Sequence, residues 1–150
     1  MTILIIILII FVLILLGGFL FAAMVVYPIR FGTERTYKME VDKGKIDVDQ
    51  YNAWEKEEVR LASPFGYSLY GLFFPAANTK RAVILTHGIT YTLYGSVKYM
   101  EMFRRLGFNI FIYDNRFHGR SGGKYATFGH YEKHDLQAVT DWVEVRLGKQ

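Results

Sequence analysis

The hydrophobic pattern divides the chain near residue 27. From Ile3 to Tyr27 (ILIIILIIFVLILLGGFLFAAMVVY) there is no charged position. A helix over this run predicts a length of roughly 37 Å, enough to cross a hydrocarbon core of about 30 Å with some tilt. Gly17 and Gly18 weaken a soluble helix but are tolerated in a membrane. Tyr27 and Arg30 fall where interfacial anchors belong, and Pro28 marks the exit. Arg30 to Trp54 is polar, mixed in charge and short of apolar periodicity, so it reads as a spacer. Within it, Asp47 to Glu55 reads either as a short helix with Asp49 as N-cap, or as two aromatics, Tyr51 and Trp54, covering the edge of the next domain. The second reading is favoured.

Beyond the spacer the period changes. Glu58 to Ala62 alternates, Ser63-Pro64-Phe65-Gly66 supplies turn chemistry, and Ser68 to Phe74 is a second strand. Together they predict an antiparallel hairpin. Ala82 to Thr86 (AVILT) is a continuous apolar run, the mark of a strand buried on both faces of a parallel sheet. A helix follows from Gly95 to Leu106, with Val97, Met100, Phe103 and Leu106 at helical spacing and Gly107 ending it. Phe108 to Tyr113 is the fourth strand. A glycine-rich loop, Asn115 to Gly129, leads to a last helix from about Tyr131 to Leu147, with Leu136, Val139, Val143 and Leu147 on one face. Two strands and then strand–helix–strand–helix predict an α/β fold, a mixed sheet opening into βαβ units.

Composition changes this picture in two places. The chain has 150 residues and is 51% hydrophobic, but without the first segment the content is ordinary for a soluble domain. The formal net charge is +4. Lysines and arginines form no long run, so nucleic acid is not an expected partner and a lipid bilayer is. The absence of cysteine from the sequence excludes disulfides and thiolate chemistry. A cleaved signal peptide is the rival for the first segment. It fits poorly, because no basic region precedes the apolar run and Ala22-Ala23 lacks the small residue a cleavage site needs. A single-pass anchor is therefore expected. Arg30, Arg35, Lys38, Lys43 and Lys45 follow it and weakly favour a cytoplasmic soluble part.

The loops carry the chemistry. His87-Gly88 ends the apolar strand, at the edge where doubly wound sheets bind ligands. Asp114 ends the next strand and is followed by Arg116, His118-Gly119, Ser121 and Gly123. This order, on these elements, resembles the α/β-hydrolase superfamily, most of all its bacterial branch with an N-terminal membrane segment. Thr127, Gly129, Glu132, Asp135-Leu136 and Trp142 add to the resemblance, as do Ser63, Gly66, Leu69, Gly71 and Pro75. It covers about residues 57–148. On it, residues 1–29 are a transmembrane anchor, 30–55 a juxtamembrane spacer, and 56–150 the first half of an α/β-hydrolase domain.

The resemblance implies a serine hydrolase acting on an ester, amide or thioester, with an acyl or other small-molecule substrate and no cofactor. His87-Gly88-Ile89 matches the loop that carries part of the oxyanion hole, the Ile89 N–H being the donor and Gly88 permitting close approach. Without the family match, His87-Gly88 would read as a strand terminus. Asp114, Arg116, His118 and Gly119 match a structural network that holds the loop. The family's nucleophile, in G-x-S-x-G between the fifth strand and its helix, is expected beyond this sequence, as are the triad acid and histidine. Gly119-Arg120-Ser121-Gly122-Gly123 fits that motif literally, but it follows a strand end by several residues and precedes no helix directly, so Ser121 is not expected to be a nucleophile. His130 and His134 read as solvated helix residues, and the four histidines show no metal-ligand spacing. The alternative is non-catalytic: a shortened, inert product or a membrane-tethered interaction module. Without a fifth strand beside it, AVILT is expected to be an open apolar edge.

Overall fold

The computed structural model describes residues 1–148. Helix α1 (Thr2–Val26) is apolar on every side and exposes its side chains along its length. Its 25 residues include no charged side chain. That length and composition suit a membrane-crossing helix, and a signal sequence has the same character.

Residues expected as a spacer instead fold onto the domain. Helix α2 (Thr33–Asp42) buries Thr36 and Glu40, and α3 (Val48–Ala53) buries Tyr51. Ile46 and Tyr51 join a core cluster with Phe74, Leu93, Met100 and Ile112. Asp47, two residues earlier than the expected Asp49, caps α3 by accepting a hydrogen bond from the Gln50 N–H at 3.0 Å.

The sheet has four strands among the described residues, in the order β1-β2-β4-β3. Strands β1 (Glu57–Ala62) and β2 (Ser68–Phe74) form the expected hairpin, with Val59 opposite Gly71. Gly66 turns it at a φ of 79°, a left-handed conformation that costs glycine little. Strand β4 (Asn109–Tyr113) pairs antiparallel with β2, and β3 (Ala82–Thr86) pairs parallel with β4. Every residue of β4 is buried. β3, whose apolar run predicts burial on both faces, is only half-buried, because among the described residues it forms the open edge expected where no fifth strand lies beside it.

The expected helix after β3 begins as a 3₁₀ segment (Leu93–Tyr99) and becomes α-helical only over α4 (Met100–Arg105). One face of the sheet packs on these elements and on α3; the other packs on α5 (Glu132–Arg146) through Val139, Val143 and Trp142. Leu136, expected on that buried stripe, is 38% exposed. Asp135 is buried in its place. It accepts hydrogen bonds from Ser63 Oγ at 2.6 Å and the Tyr67 hydroxyl at 2.5 Å, fastening α5 to the hairpin.

Candidate active site

The loops after β3 and β4 meet at the C-terminal edge of the parallel strands. Two buried histidines lock them together reciprocally. His87, just after β3, accepts the Asn115 N–H at Nε2 (2.9 Å), while its Nδ1 lies 2.8 Å from the Gly88 carbonyl. His118, from the β4 loop, accepts the Thr90 N–H at Nε2 (3.4 Å), while its Nδ1 lies 2.9 Å from the Arg116 carbonyl. In each ring the nitrogen facing an N–H must be unprotonated and the one facing a carbonyl must carry the proton, which fixes both as the neutral Nδ1–H tautomer. Burial pushes His87 down to about 4, outweighing the Gly88 carbonyl, and the neighbouring His118 adds to the fall. Burial lowers His118 as well. Neither ring has a free nitrogen for proton transfer.

Asp114 is the hub of the β4 loop. It is fully buried. Its Oδ1 accepts the Leu93 N–H at 2.7 Å, capping the 3₁₀ segment, and its Oδ2 accepts the Arg120 N–H at 2.8 Å. Burial raises its carboxyl to about 6, against the pull of those two amides. Gly119, at a φ of 49°, passes so close that a Cβ there would collide with both carboxylate oxygens. Arg116 is buried with its guanidinium 4.5 Å from the Tyr131 ring centroid and about 5 Å from those of Tyr67 and Tyr125. One of its nitrogens, Nη1, lies 3.4 Å from Thr127 Oγ1.

Ser121 is fully engaged as a structural bridge. Its hydroxyl donates to the Asp114 carbonyl at 2.6 Å and accepts the Tyr70 N–H at 2.8 Å, joining β2 to the end of β4. Its proton and lone pair are in use, so the literal G-x-S-x-G carries no elbow geometry. Ser121→Ala is expected to destabilise the domain by about 1–3 kcal/mol, since it strands a partly buried N–H and carbonyl. Chemical denaturation would measure it, and an unchanged midpoint would contradict the bridging role.

The buried groups also set a pH signature. His87 titrates lower folded than unfolded, so between about 4 and 6.5 the unfolded chain holds the extra proton and stability falls as pH falls. Asp114 titrates higher folded than unfolded, so between 3.8 and about 6 the folded chain holds the extra proton and stability falls as pH rises. The two slopes oppose each other. Asp114→Asn removes one of them, so its denaturation midpoint is expected to climb more steeply than the parent's from pH 4 to 6. Parallel curves would show that Asp114 does not titrate in that window.

Ile89 stands between the locked loops, and its N–H has no hydrogen-bond partner among the described residues. It lines a cavity of about 370 Å³ with Thr86, Tyr113, His118, Phe128 and Leu136. Gly88 has open space around it. Glu132 shapes the far wall, accepting the Thr127 and Gly129 N–H groups at 2.7 and 2.8 Å. Those hydrogen bonds keep its carboxyl below the usual range despite partial burial, which pulls the other way. His130 and His134 lie exposed at the start of α5. No group of three or more metal-ligating side chains occurs among the described residues. The sequence did not single out Asp135 or the Glu132 carboxylate bridge as fastenings. Their partners come from another element or a loop turn, and only the spacing of acid and hydroxyl residues hinted at them.

Antiparallel hairpin, parallel β3–β4 pair and ligand edge together define an α/β-hydrolase fold. No family model matches the chain. An uncharacterized protein of Bacillus subtilis (strain 168), YqkD, is 36% identical over 122 residues, covering 81% of this chain and 40% of that protein. The esterase Pf2001 of Pyrococcus furiosus superposes with a TM-score of 0.61 at 25% identity, over 81% of this chain and 42% of that one. The α/β hydrolase GrgF of Penicillium sp. sh18 shares the fold, with a TM-score of 0.55 at 22% identity over 60% of this chain and 32% of that one. The chain thus spans about 40% of the length of the first two.

Proposed function

We propose that this chain is the membrane-anchored N-terminal part of a serine hydrolase that cleaves an ester, amide or thioester. In this reading α1 is an uncleaved single-pass anchor, and the basic residues from Arg30 to Lys45 hold the domain on the cytoplasmic side. The Ile89 N–H donates to the oxyanion that develops in the transition state, with Gly88 leaving room for the substrate. Asp114, Arg116, His118 and Gly119 keep the two loops in register, as His87 does from the other side. The observation that carries the reading is the unpartnered Ile89 N–H beside a cavity at the ligand edge of the sheet. The likeness to an esterase supports the chemistry. Nucleophile, acid and catalytic histidine are then supplied by sequence beyond the matched part.

Two preparations test this. The 150-residue chain should sediment with membranes, resist carbonate extraction and take up no fluorophosphonate probe. A version continuing through a fifth strand and a G-x-S-x-G elbow should be labelled at the elbow serine. Labelling of Ser121 would overturn its purely structural role, an unlabelled longer version would overturn the hydrolase assignment, and full-length protein in the soluble fraction would overturn the anchor.

A further inference from the structure

The end of α1 is docked on the loops of the candidate site. The Ala126 N–H donates to the Val26 carbonyl at 3.0 Å. Tyr27 packs edge-on against Phe117 and Tyr125, with ring centroids 6.2 and 6.1 Å away. Arg30 donates to the Phe117 carbonyl at 2.6 Å and lies 3.8 Å over that ring. The Phe31 N–H reaches the Thr90 carbonyl at 2.9 Å. Both loops that flank Ile89 are therefore bolted to the first residues after α1.

Distance then fixes where the cavity opens. Ala126 is itself a wall residue, and Phe128 lies two residues on, at most about 7 Å of chain away. The headgroup layer on each side of a bilayer is about 5–7 Å thick. With α1 spanning the membrane, the cavity mouth falls in that layer. Three of its lining residues are apolar and outward, Phe128 63% exposed, Ile89 48% and Leu136 38%, and Ile29, just after α1, is 77% exposed. Backbone strain collects at the same edge. Among the described residues, Thr90, Phe117 and Phe128 hold three of the four positive-φ conformations outside glycine. Phe128, at 49°, is pinned there by Glu132 gripping the amides on either side of it. A large apolar ring held outward in an unfavourable conformation has a use if it meets lipid, and strain of this kind gathers at working sites.

We infer that the cavity opens into the bilayer interface and takes its substrate from the membrane. That substrate is a long-chain acyl amphiphile whose chain enters past Phe128 and Leu136 while its ester or thioester carbonyl reaches Ile89. The inference rests on the anchor and oxyanion readings above.

The chain contains no cysteine, so single-cysteine variants can be spin-labelled cleanly. In phosphatidylcholine vesicles, a label at Leu13→Cys within α1 should be open to oxygen and shielded from a water-soluble nickel chelate, and a label at Phe128→Cys, in the headgroup layer, should keep most of that contrast. A label at Asn78→Cys, at the opposite end of β3, should show the reverse. In parallel, a phosphatidylcholine with a diazirine on its acyl chain should leave adducts on residues 126–136. Leu136→Glu, which puts a carboxylate in the cavity wall, should lower their yield about tenfold. A Leu13 label in the acyl core with a Phe128 label in water would overturn this inference alone; a Leu13 label in water would overturn the anchor with it. Adducts confined to α1, or formed in the cavity only by a water-soluble short-chain diazirine ester, would also overturn it. None of these readouts depends on turnover, so the oxyanion assignment stands or falls separately.

Discussion

Ile89→Pro, introduced into a version of the protein that continues through the elbow and triad, is expected to lower kcat by about 10²–10³, the loss typical of one oxyanion-hole donor. Proline deletes a backbone N–H that has no partner among the described residues. The donor acts on charge that appears only in the transition state, so KM should move little while kcat falls. Ile89→Ala separates the two parts of this residue. It keeps the N–H and removes the side chain, and turnover on a short-chain ester should stay within a few-fold of the parent. Proline also fixes φ near −65°, so circular dichroism and the denaturation midpoint must show the variant folded. A folded Ile89→Pro protein with near-normal turnover would reduce His87-Gly88-Ile89 to a strand terminus.

Gly119→Ala should have the largest effect on folding. Its added Cβ meets the Asp114 carboxylate, which is fully buried and holds the Leu93 and Arg120 amides. The carboxylate has no empty space to retreat into, so those hydrogen bonds lengthen or break. Hydrogen bonds to a charged group contribute about 1.5–3 kcal/mol each. The left-handed backbone at a φ of 49° adds about 1–2 kcal/mol for any residue with a Cβ. Together these approach the whole stability of a small domain, about 5–15 kcal/mol. Little folded protein should accumulate, and what does should unfold at a much lower denaturant concentration. Gly44→Ala is the control. Gly44 has a φ of 65° with open space around it, so alanine there bears the conformational cost without the collision. If the two variants lost the same stability, the close approach to Asp114 would be immaterial.

Much of the molecule was legible from local pattern. The uncharged run that forms α1 needs no partner to declare itself. Strands β2 and β3 lie where turn chemistry and an unbroken apolar run put them, at Ser68–Phe74 and Ala82–Thr86, because these are properties of a few neighbouring residues. The order of the loop motifs was enough to indicate the fold. What escaped was fixed by contacts distant in sequence. Helix α2 was read as spacer because the residues it buries, Thr36 and Glu40, are polar. Glu40 is kept inside by Lys98 and Lys43, whose ammonium groups lie 3.6 and 3.9 Å from its carboxylate, and no hydrophobic stripe announces such a pairing. The segment after β3 starts as 3₁₀ where Asp114, 21 residues later, takes hold of the Leu93 amide. That AVILT is an edge depends on strand order, which the family resemblance implied but no strand's own sequence encodes. The histidine lock across the two loops and the docking of α1 on them are likewise tertiary. Their donors and acceptors are ordinary backbone groups, identical at every residue, and only the folded chain decides which of them meet.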